Sequence, residues 1–71
     1  MPGTLNSTRV ERALIGLGFT FSRGAGSHKT FIAPNGAVVT LPLGHTQVAE
    51  KWVKKACRQA GVDWSAFQQR Y

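Results

Sequence analysis

The sequence predicts an α+β fold: an α-β-β-β-α two-layer sandwich, with two helices on one face of a three-stranded antiparallel sheet and a short C-terminal helical turn. Three observations predict it. Apolar residues recur at helical spacing in two separate stretches. The middle of the chain is rich in β-branched residues. Gly, Pro and Asn cut that middle into three short runs.

Each element has a local reason. Residues 1–7 are expected to be a flexible N-terminus, with Met1 to Leu5 frayed, ahead of a single domain over residues 8–71. Thr8 and Glu11 form a T-x-x-E capping-box pattern. Val10, Ala13, Leu14 and Leu17 then recur at i, i+3, i+4, i+7, and Gly18 is a stop, so the first helix is expected over about residues 8–17. Phe19 to Arg23 reads as a strand, followed by a two-glycine loop from Gly24 to Ser27. Lys29 to Ala33 and Ala37 to Leu41 read as a hairpin, with Asn35-Gly36 favouring a type I′ turn.

Pro42 and Gly44 end the sheet, and a second helix is expected from about Thr46 to Ala60. Ala49, Trp52, Val53, Ala56, Cys57 and Ala60 form its apolar side, which assigns Trp52 to the core. Gly61 closes that helix. Asp63 reads as the N-cap of the last turn, with Val62 and Phe67 as a hydrophobic staple and Trp64, Phe67 and Tyr71 docking the turn on the core.

Composition narrows the function classes. A chain of 71 residues has room for one small core. With 42% apolar and 17% charged residues it is not of disordered composition. No apolar run approaches the roughly 20 residues that cross a bilayer, and no leader pattern is read at the start, so neither membrane insertion nor export is expected. One cysteine makes no internal disulfide, which fits a reducing cytoplasm. Two His, one Cys and three widely spaced acids give no metal-ligand pattern, and no cofactor motif is present, so no metal and no cofactor are expected.

Nine Lys/Arg against three Asp/Glu give a net charge of +6. Such a surface suits a phosphate-bearing partner or an acidic protein, although charge also serves solubility alone. The cations cluster. Lys51, Lys54, Lys55 and Arg58 lie at i, i+3, i+4, i+7 on the polar side of the second helix, where a row of cations could track backbone phosphates. The competing reading is a solvated face.

His28, in Gly26-Ser27-His28-Lys29, follows the glycine loop. Histidine exchanges protons near neutral pH, and Lys29 beside it or Arg23 before the loop could hold a phosphate. A lone loop histidine is otherwise a surface residue. His45 follows Gly44 near the expected start of the second helix; it is either an ordinary loop residue or part of the same surface as His28.

The element order is that of the double-stranded-RNA-binding domain. Several short segments sharpen this: Leu17-Gly18-Phe19, Gly26-Ser27-His28-Lys29-Thr30-Phe31, Pro34-Asn35-Gly36, Val38-Val39-Thr40-Leu41-Pro42 and Arg58-Gln59-Ala60-Gly61-Val62. In this order and spacing they resemble the HicA toxin family of toxin–antitoxin systems, from about Val10 to Val62. The most specific part is Gly-Ser-His followed by Phe31.

The resemblance implies a double-stranded-RNA-binding-like fold and a metal-independent endoribonuclease that cleaves mRNA in the cytoplasm. It implies a HicB-like antitoxin as partner. It places a single catalytic histidine at His28. Beside it, the reading of the residues themselves puts Ser27, Lys51, Lys54, Lys55 and Arg58 against RNA, with Lys29 and Arg23 supporting the phosphate. His45, three residues after Pro42, only roughly matches a second family histidine and is a possible accessory. Two alternatives keep the same fold: a non-catalytic RNA-binding protein, and a basic subunit that docks an acidic protein.

Overall fold

The computed structural model describes residues 3–71. In chain order it contains β1 (Thr4–Asn6), α1 (Ser7–Gly16), β2 (Thr20–Ala25), β3 (His28–Ile32), β4 (Val38–Leu41), β5 (Gln47–Ala49), α2 (Glu50–Gln59) and α3 (Trp64–Arg70). Strands β2-β3-β4 form the expected antiparallel sheet, and β1 and β5 form a second, two-stranded one. Val10, Ala13 and Leu14 of α1, Val53, Ala56 and Cys57 of α2, and Phe31, Val39 and Leu41 of the sheet share one core. The two helices therefore cover the Phe31 face of the sheet. The fold is α+β, as the periodicity predicted.

Five local expectations are corrected. The N-terminal segment is paired rather than frayed over Thr4–Asn6: Thr4, Leu5 and Asn6 lie opposite Ala49, Val48 and Gln47. Met1 and Pro2 lie outside the described residues. The same pairing removes the first turn of the expected second helix, because residues 47–49 extend to meet β1 and the helix starts at Glu50. Local periodicity is blind to a strand partner more than 40 residues away.

The cap of α1 is Asn6, not Thr8. Asn6 is extended (φ −72°, ψ 123°), and its Oδ1 accepts the Arg9 N–H at 2.9 Å. With the helix starting at Ser7, Thr8 and Glu11 fall out of capping-box register. The hairpin after β3 is not type I′. Gly36 N–H donates to the Ala33 carbonyl at 2.8 Å, so Pro34 and Asn35 are the central residues, and Asn35 has no positive φ. Pro34 presets the negative φ of a type I turn, Asn35 Oδ1 accepts the Ala37 N–H, and Gly36 follows as a bulge residue.

The fifth correction is Trp52, which is 44% exposed. The buried arc of α2 centres on Val53, Ala56, Cys57 and Ala60, and the indole falls at its margin, beside the free edge of β4.

The helix ends follow expectation. After α2, Val62 N–H donates to Cys57 O and Gly61 N–H to Arg58 O, and the corresponding pair after α1 is Phe19 to Leu14 and Gly18 to Ile15. Asp63 occupies the N-cap position of α3, but its side chain makes no capping bond. Phe67 is buried, with Trp64 stacked on it at 5.0 Å and Tyr71 at 5.9 Å. Tyr71 returns to the N-terminal segment. Its hydroxyl accepts the Asn6 N–H, and its carbonyl accepts from Arg9, whose guanidinium lies 4.0 Å over the ring.

Candidate functional site

The Gly26-Ser27 segment is a tight turn rather than a loose loop. Ala25 and His28 lie directly opposite each other, leaving two residues between the strands. Gly26 takes the first central position with φ +61°, which a type II′ turn requires there. His28 is thus the first residue of β3, exposed and held on a hairpin.

Which side chains join it is decided by the pleat. Phe21 faces Phe31 on the helix-covered side, with their rings edge to face at 5.7 Å. Regular pairing would place Arg23 on that side too. A bulge between Phe21 and Arg23 shifts the register by one residue, so Arg23 lies opposite Thr30. Arg23, His28, Thr30 and Thr40 consequently share the face that carries no helix. The Thr30 and Thr40 hydroxyls are 3.0 Å apart there.

Lys29 does not belong to this group. Adjacent residues of a strand point to opposite faces, and Lys29 Nζ pairs with Glu11 Oε1 of α1 at 2.9 Å. The structure thus places Lys29 against α1, away from the face that carries His28. The bulge leaves Arg23 as the cation on the His28 face.

Ser27 and His45 meet the site through the backbone. Gly44 N–H donates to the Ser27 carbonyl at 2.8 Å. A Cβ at position 44 would lie 2.8 Å from Ser27 Cβ and 2.9 Å from Ser27 O, so the contact has room only for glycine. His45 follows directly and is exposed, which brings both histidines to one end of the sheet. It is not near the start of α2, because β5 intervenes.

The four cations of α2 are exposed on one side of the helix, as the spacing predicted. They form two rows. Lys51 and Lys55 flank Trp52, at 5.3 and 5.8 Å from its ring. Lys54 lies 5.4 Å over Trp64 and 4.0 Å from Glu50, and Arg58 lines the same small groove as Trp64. Among the described residues, no salt bridge engages Lys51, Lys55 or Arg58.

Among the described residues, no group of three His, Cys, Asp or Glu side chains could hold a metal ion, and no helix is long and apolar enough to cross a membrane. Cys57 is buried in the core, and loss of solvent raises its thiol pKa.

Fold and surface together define a small α+β protein with a helix-free sheet face, a histidine hairpin at one end and a basic helix alongside. The family model for the HicA toxin of bacterial toxin–antitoxin systems matches residues 7–62. The chain belongs to the HicA toxin family, and membership implies an antitoxin partner. A search of curated proteins found no match.

Proposed function

We propose that this chain is a metal-independent endoribonuclease, the mRNA-cleaving toxin of a type II pair held in check by a HicB-like antitoxin in the cytoplasm. The observation that carries the reading is the shared face of His28 and Arg23, created by the bulge in β2. The His28 imidazole takes the proton of an RNA 2′-hydroxyl, or gives one to the leaving oxygen, and water carries the other proton transfer. The O2′–P bond forms as the P–O5′ bond breaks, leaving a 2′,3′-cyclic phosphate and a 5′-hydroxyl. Arg23 stabilises the charge that grows on the phosphoryl oxygens. Ser27, Lys51, Lys54, Lys55 and Arg58 hold the RNA, and His45 is an accessory at the rim. DNA, which lacks the 2′-hydroxyl, is not cut.

The test compares the wild type with His28→Ala. The side chain is exposed, so folding stability should change by no more than about 0.5 kcal/mol. RNA cleavage and growth arrest should disappear while RNA binding persists. A wild type that binds RNA tightly and leaves it intact would sink the enzyme reading in favour of a non-catalytic RNA-binding protein. A wild type that binds only an acidic protein, which then protects no RNA, would favour the interaction-subunit reading.

A further inference from the structure

Trp52 is the largest apolar side chain left exposed among the described residues. Its indole walls a groove of about 230 Å³ between α2 and the free edge of β4, with Val38, Thr40, Lys55, Ala56 and Gln59. Val38 is itself 65% exposed, so the groove has an apolar side in contact with water. The ammonium groups of Lys51 and Lys55 stand over or beside the ring. Gln59 offers both a donor and an acceptor.

A flat aromatic wall, an amide and two cations match a nucleotide better than either half alone would. An apolar ligand gains nothing from the ammonium groups, and a small anion gains nothing from the indole. A nucleobase stacks on the ring while its phosphates meet the lysines, the combination by which proteins hold single strands. The groove is also continuous with the His28 face. Thr30 lies two residues along β3 from His28 on the same side, its hydroxyl meets that of Thr40, and Thr40 lines the groove.

We infer that Trp52, with Lys51, Lys55 and Gln59, forms a stacking subsite for one unpaired base of the RNA whose backbone is cut at His28. The inference rests on the RNA-cleavage reading and adds that the substrate is single-stranded at this point, since a base in a duplex is already stacked and paired.

The experiment uses two 2′-O-methyl oligonucleotides of about twelve residues, one with bases and one abasic, which cannot be cut because the 2′-oxygen is blocked. Wild type should bind the base-bearing chain more tightly than the abasic one. Trp52→Ala should lose about tenfold or more in affinity for the first and nothing for the second, with Trp52→Phe intermediate. In a Trp64→Phe background, Trp52 emission should be quenched by the base-bearing chain alone. Equal affinity of Trp52→Ala and wild type for both chains overturns the subsite and leaves this surface to a protein partner. An equal loss on both chains also overturns it, because the indole would then act without a base. In either case unchanged RNA cleavage by the wild type keeps the RNA reading intact. A wild type that binds neither chain overturns the subsite and the RNA reading together.

Discussion

The backbone N–H of Gly44 donates to the carbonyl of Ser27 at 2.8 Å, and this bond joins the segment carrying His45 to the turn carrying His28. The approach is so close that a methyl group at position 44 would overlap Ser27. The turn that presents His28 is therefore braced from outside its own hairpin.

Gly44→Ala should force these two segments apart. The expected cost is about 1–3 kcal/mol of stability, the usual range for overpacking, and cleavage should fall because the His28 turn is displaced. Thermal denaturation and an RNA-cleavage assay at a temperature where the variant is fully folded separate the two effects. A variant with wild-type stability and activity would contradict the bracing.

Arg23 and Lys29 should respond differently to truncation, although both flank the same turn. Arg23→Ala removes the cation on the His28 face and should lower kcat by about a hundredfold with little change in stability. Lys29→Ala breaks only a half-exposed pair with Glu11 and should cost about 0.5 kcal/mol or less while kcat is kept. Equal losses of kcat in the two variants would contradict the face assignment.

The start of α1 gives a direct test of the cap. Asn6→Ala should destabilise the protein by about 1 kcal/mol, because the Arg9 N–H loses its acceptor. Thr8→Ala, one turn position inside the helix, should lie within about 0.5 kcal/mol of wild type. Urea titration of both variants suffices, and the reverse ranking would restore the capping box at Thr8.

Burial of Cys57 makes stability fall at alkaline pH. Its thiol pKa is raised above the ordinary 9.0 in the folded protein, so the unfolded chain ionises first as pH rises. The contribution is complete below pH 9.0 and is lost between that value and the higher folded one. Cys57→Ala lacks this titration. The stability gap between wild type and the variant should therefore narrow from pH 8 to pH 10, and a constant gap would contradict it.

The elements with strong local causes were legible in the chain. The i, i+3, i+4 stripes located α1 and most of α2, β-branched runs located β3 and β4, and glycines marked the helix ends. The cationic row of α2 and the Gly-Ser-His segment were equally visible, because each depends only on residues close in sequence. Trp52 was misassigned by the same logic. Periodicity places a side chain on one side of a helix but does not say how far the neighbouring sheet reaches to cover it.

What the sequence determined by itself is the α+β class, the basic helix and the identity of the histidine at the turn. What only the tertiary structure decided is which cation shares a face with that histidine. Side chains alternate along a strand, so one extra residue in β2 reverses the facing of everything after it. The pairing that reveals the extra residue is a property of β2 and β3 together. It puts Arg23 beside the His28 face, and the pleat turns Lys29 away to Glu11. The pairing of β1 with β5 and the contact of Gly44 with Ser27 are of the same kind: each joins residues far apart in the chain, where local preference carries no information.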